Sequence, residues 1–109
     1  MSIFGVLEQQ ALRASALAND SAAKVLTGKF RQHLLADGHD REQVNQCQIV
    51  YDSEQDQFLP EVHQDILNAS LGDEENPPTG TITRFFNHVD VAEVHKKALL
   101  AEARKAGLA

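Results

Sequence analysis

The residues of this chain best suited to chemistry are five histidines, sixteen carboxylates and a single thiol, and their spacing decides what they can do together. Zinc and iron sites draw three or four ligands to one point, often through histidines four apart on one helix face. The sequence contains no His-x-x-x-His and no Glu-x-x-His. His88, Glu93 and His95 come nearest to a ligand set, but they surround a helix start where Asp90 and Glu93 already have roles as capping residues. Asp52-x-Glu54-x-Asp56 has the spacing that opens a calcium loop. Gln57 then stands where that loop needs glycine and His63 where it needs a bidentate glutamate, which excludes an EF-hand. The six glycines are scattered singly, without a dinucleotide fingerprint, a phosphate-binding Gly-Lys-Ser/Thr or a nucleophile elbow. We therefore assign no catalytic, cofactor-binding or metal-ligating residue, expect no cofactor, and read the chain as non-enzymatic. His33 lies on an apolar face and reads as a hydrogen-bonded core or interface histidine, while His39 and His63 read as surface residues. The lone Cys47 excludes an intrachain disulfide and reads as a small buried apolar residue.

Charge is distributed in three blocks. Residues 1–36 hold four bases and two acids, residues 37–83 hold eleven acids and one base, and residues 84–109 hold five bases and three acids. The net charge of −6 argues against direct nucleic-acid binding, because the acidic block repels phosphate. Asp52, Glu54, Asp56, Asp73, Glu74 and Glu75 are the acids best placed to meet a basic protein partner. At 109 residues, with 42% hydrophobic and 24% charged content, one domain spanning residues 1–109 is expected. Ala16-Leu17-Ala18 resembles a signal-peptidase site, but Glu8, Gln9, Gln10 and Arg13 interrupt the apolar run such a signal needs. No apolar stretch approaches the length of a membrane span. A soluble, cytoplasmic protein without membrane attachment is the expectation.

The elements that would position these residues follow from periodicity. Ile3, Phe4, Leu7, Ala11, Ala14 and Ala18 share one helical face, and Ala22, Leu26, Phe30, His33 and Leu34 share another. Asn19-Asp20-Ser21 reads as a break and N-cap between two helices, the alternative being one continuous helix over 3–36. Gly38 suits a left-handed helix stop. Asp40 with Gln43 reads as a capping box. Segment 44–51 is ambiguous, since Val44, Cys47 and Tyr51 suit a helix whereas 47–51 has strand propensity. Pro60 suits the first turn of a helix carrying Leu59, Val62, Ile66, Leu67 and Ala69, closed by Gly72. Residues 73–80 read as a loop, and 81–89 as a helix on the spacing of Ile82, Phe85, Phe86 and Val89. Asp90 opens a last helix with Glu93 at its third position, Val89 and Val94 as staple, and Val91, Val94, Ala98 and Ala101 facing the core.

The expected fold is mainly α, a small domain of four to six helices with alanine-rich packing; the alternative is α+β with short strands near 47–51 and 81–86. Val6, Leu17 and Leu100 fall off the core stripes of their helices, which points to a further contact and to a symmetric homodimer as its simplest form. The leading function is a protein-interaction role, as an adaptor, assembly factor or chaperone-like binder. One alternative is an acidic-surface inhibitor that occupies a basic nucleic-acid-binding partner. Another is a metal-dependent enzyme using His88, Glu93 and His95.

Overall fold

The computed structural model describes residues 3–108, with side chains from residue 5 onward, so the Ile3 and Phe4 side chains of the expected stripe lie outside the described residues. Helix α1 runs unbroken over Ile3–Ala36, 34 residues and about 51 Å long at 1.5 Å per residue. The expected break at Asn19-Asp20-Ser21 does not form. Short polar side chains break helices by competing for their own backbone amides, and here they have other partners. The Asn19 Oδ1 lies 2.7 Å from the His95 Nε2, and Asp20 pairs with Lys24 one turn on at 3.4 Å.

The buried line of α1 is Ala14, Ala18, Ala22, Leu26, Phe30 and Leu34, every fourth residue. Each step of four overshoots a full turn by about 40°, so this line winds roughly 200° around the helix. Its alanine half faces one neighbour and its Leu/Phe half others. Gly38 (φ 89°) ends the helix as anticipated: its N–H donates to the Leu35 carbonyl and the His39 N–H to that of Leu34, the paired bonds of a left-handed glycine cap.

One turn of helix, α2 (Arg41–Val44), follows with Asp40 accepting from the Gln43 amide. The Gln43 side chain reaches Asp65 instead of closing the capping box. Strands β1 (Gln48–Asp52) and β2 (Gln57–Glu61) form an antiparallel hairpin with Ile49 opposite Pro60 and Tyr51 opposite Phe58. This resolves the 44–51 ambiguity and corrects the reading of Pro60 as a helix start. Both the Ile49 N–H and C=O turn to the Thr27 hydroxyl on α1, at 2.8 and 3.2 Å, so Ile49–Pro60 is a pair that exchanges no ladder bonds. Proline costs nothing at such a position.

Helix α3 (Gln64–Leu71) begins only after β2, with the His63 Nδ1 accepting from the Asp65 amide, so His63 is an N-cap. Helix α4 (Thr81–His88) confirms the helical reading of 81–89 and removes the strand alternative there. Gly80 offers α4 no side-chain cap; Ser70 accepts from the Ile82 amide instead. Helix α5 (Val91–Lys105) opens on Asp90, whose carboxylate accepts from the Glu93 amide at 2.9 Å. Its buried position is Glu102 (8% exposed), while the expected core residue Ala101 is exposed. Packing centred on Ala98 places Glu102 one turn on and Ala101 to the side.

Among the described residues this makes five helices and one two-stranded sheet, a small mainly α domain. Leu26, Phe30, Leu34, Val44, Cys47, Ile49, Ile66 and Phe85 form its core, around the C-terminal half of α1. Helix α5 returns antiparallel along the alanine half, and β1 lies along the middle. At 15 residues, α5 is about 22 Å long, and residues 6–13 of α1 remain exposed. The molecule measures 63 × 24 × 23 Å with a radius of gyration of 17.3 Å, against about 13 Å for a compact chain of this length.

Candidate functional site

One constellation has the residue types of a nucleophilic site: the Thr81 hydroxyl, the His33 imidazole and the Asp37 carboxylate, joined by Arg84. Helix α1 supplies His33 and, just past its end, Asp37; α4 supplies Thr81 and Arg84. The Thr81 hydroxyl donates to the Asp37 Oδ2 at 2.5 Å, and the Arg84 Nη2 donates to the same oxygen. The His33 Nε2 lies 2.8 Å from the Thr81 carbonyl and 3.2 Å from its hydroxyl. A carbonyl can only accept, so the proton sits on Nε2 and no free imidazole lone pair faces the hydroxyl. Thr81 is also fully buried, which closes it to any substrate. Activation of a nucleophile needs a base facing an accessible hydroxyl. The cluster is instead a clasp that ties the end of α1 to the start of α4. The Thr81 hydroxyl, followed by the Arg84 guanidinium, holds the Asp37 carboxyl below its ordinary pKa.

The metal candidates do not converge. His95 is bonded to Asn19, and its ring meets that of Phe58 in a T-shaped contact with centroids 5.3 Å apart. His88 and Glu93 line a depression on the other side of the α1–α5 seam, with Val25, Lys29 and Val94. Glu93 has Lys97 at 3.9 Å. No group of three or more His, Cys, Asp or Glu positioned for an ion occurs among the described residues.

The acidic candidates occupy two separate loops, and two of the six, Asp52 and Asp73, organise the backbone of those loops. Asp52 Oδ1 accepts from the Glu54 and Gln55 amides, and Asp56, in the left-handed region (φ 52°), accepts from the Tyr51 hydroxyl. That bond raises the tyrosine pKa above its ordinary value. Asp73 Oδ1 accepts from the Asn76 and Glu75 amides at 2.7 and 2.8 Å, which lowers its pKa. Glu54, Glu74 and Glu75 are exposed. The hairpin loop lies beside Ala16, Asn19 and Asp20, whereas the 73–80 loop enters α4 at the Asp37 clasp. Asp20 and Asp37 are 17 residues apart along α1, a distance of roughly 25 Å. The acids do not form one continuous face.

The apolar candidates are exposed as expected, at 42% for Val6, 55% for Leu17 and 43% for Leu100. Eleven residues bring Val6 and Leu17 to within about 20° on one flank of α1. Leu100 sits about 160° from Ala98 and points away from α1, so it does not join them. Sequence reasoning missed Leu12, 65% exposed on the opposite flank, although it falls off the expected stripe as Val6 and Leu17 do. It also placed Leu7 and Ala11 in a core stripe, and both are exposed because α5 gives them no cover. No helix among the described residues is long and apolar enough to cross a membrane. Comparison with protein-family models, with curated proteins and with solved structures finds no match to this chain.

Proposed function

We propose that this protein is a non-enzymatic interaction protein, an adaptor, assembly factor or chaperone-like binder. Its recognition surface is the N-terminal half of α1 together with the outer side of α5. One observation carries this reading: Val6, Leu7 and Leu12 are exposed on a stretch of α1, residues 6–13, that has no buried position, and Leu17 is exposed on the flank of the seam where α5 covers Ala14 and Ala18. Exposed apolar side chains grouped on one segment of a small protein mark a place where another chain binds. A net charge of −6 biases encounters toward basic partners. The buried, unpaired thiol of Cys47 suits a reducing compartment, and we read the site of action as cytoplasmic.

The test is affinity capture from the native host, comparing the unmodified chain with a Leu12→Glu/Leu17→Glu variant. Both side chains are solvent-exposed, so the variant retains its fold. Partners held by the unmodified chain are expected to disappear from the variant. Recovery of the same proteins in the same amounts with both would refute the reading.

A further inference from the structure

We infer that the occupant of the open half of α1 is a second copy of this chain, which makes the protein a dimer built on that segment. The inference rests on the interaction reading above and specifies its partner. Its first support is area. The protein exposes 7474 Å², whereas a compact monomer of 12.0 kDa exposes about 6,000 Å². The excess, roughly 1,500 Å², exceeds the ~800 Å² per partner that a stable interface buries. The clearest source of this excess is the elongated α1, whose residues 6–13 are all exposed.

The second support is the distribution of side chains around the segment. Ala14 and Ala18 face α5. Val6 and Leu17 point about 100° to one side of Ala18 and Leu12 about 120° to the other. A helix that is apolar on several sides is one surrounded by other helices. On α5, Leu99 adds a flank position, about 100° from Ala98 and 36% exposed. Two α1–α5 layers brought together by a two-fold axis would surround each open segment in the manner of a four-helix bundle.

The third support is charge. Although the chain carries −6, residues 5–18 contain one acid, Glu8, and one base, Arg13, so two copies of this segment meet without net repulsion. Eleven of the sixteen acids lie in residues 37–83, outside this segment. Pairing the same patch on both copies also closes the assembly.

Sedimentation velocity of the full chain, over about 1 to 100 µM, tests the inference, since dimerisation follows mass action. The expected species has twice the 12.0 kDa chain mass. Leu12→Glu/Leu17→Glu should weaken it at least tenfold, because a carboxylate buried without a partner opposes association. Leu71→Glu, at an exposed position on α3 remote from this segment, should leave it unchanged. Circular dichroism of each variant checks that the helices persist. A chain that stays monomeric throughout the range overturns the inference, as does a dimer indifferent to the double substitution or equally sensitive to Leu71→Glu. If the chain is monomeric but the double variant still loses captured partners, the dimer fails and the interaction reading survives. If neither association nor capture responds, both fail.

Discussion

Replacing Thr27 by valine isolates the contact that fastens the hairpin to the long helix. Ile49, 2% exposed, lies opposite a proline, and its N–H and C=O point away from β2 toward α1. The Thr27 hydroxyl accepts from that N–H at 2.8 Å and donates to that C=O at 3.2 Å. Valine has nearly the same shape and a similar helix propensity, so it removes both bonds while leaving the packing in place. An unsatisfied buried backbone group costs about 1–3 kcal/mol, and two of them, with some relief from water at the half-buried site, come to roughly 2–4 kcal/mol. Against a total of about 5–16 kcal/mol for a chain of this size, that loss is easily measured. Thr27→Ser keeps the hydroxyl and gives up one methyl group, so it should cost no more than about 1 kcal/mol. Urea unfolding with linear extrapolation gives the stabilities, and hydrogen exchange at the Ile49 amide reports the bond itself. A Thr27→Val protein within about 0.5 kcal/mol of the unmodified chain, with the Ile49 amide equally protected, would refute the account.

Two glycines should respond in opposite directions to alanine. At Gly72 (φ 76°) a Cβ would stand 2.5 Å from the Pro78 nitrogen, so Gly72→Ala should cost at least ~2 kcal/mol and displace the 73–80 loop. At Gly28 nothing lies within 4 Å, and Gly28→Ala should stabilise by up to ~1 kcal/mol in thermal or urea unfolding. Ala18→Leu should destabilise by roughly 1–3 kcal/mol and disturb the His95 ring resonances, because Ala18 is completely buried beneath α5. Asp37→Asn should lower stability at neutral pH by about 1 kcal/mol, the scale of a partly exposed charged hydrogen bond. Because the folded-state pKa of Asp37 lies below its ordinary 3.8, its contribution is present above that value and fades as pH falls through the folded one. Unfolding measured from neutral to about pH 2.5 should therefore show the two proteins converging in acid, and a constant gap would count against the clasp.

Local rules recovered much of the secondary structure, and the failures share a cause. The caps at Asp40 and Asp90 and the stop at Gly38 lie where spacing put them, because each depends only on residues within one turn. The break expected at Asn19-Asp20-Ser21 vanished because Asn19 found His95, 76 residues away, and no local rule sees that partner. Pro60 was placed in a helix for the same reason. Its role depends on which edge of β2 faces outward, which the Thr27–Ile49 contact helps to decide. Glu102, not the expected Ala101, is buried on α5 because the buried face of a helix is set by the neighbour it meets. The alanine seam of α1 sets that neighbour's line of contact.

The candidate site was legible in kind and less so in place. Val6, Leu17 and Leu100 were separable by periodicity as residues that a single packed face does not use, and all three are exposed. Their grouping was not separable, because it depends on where α5 ends. A few more turns of α5 would cover Leu7 and Ala11 and restore the stripe that periodicity suggested. Leu12 and Leu17 point to opposite flanks of the seam, so one helix cannot fold over both. The acids show the converse. Their number in the middle of the chain suggested a charged face, yet Asp52, Asp56 and Asp73 are engaged within their own turns and the two loops lie at different levels of α1. Composition reports how many charges a segment holds, whereas a docking face requires them to share a direction. On that criterion the acids of the hairpin loop and those of the 73–80 loop are two separate groups.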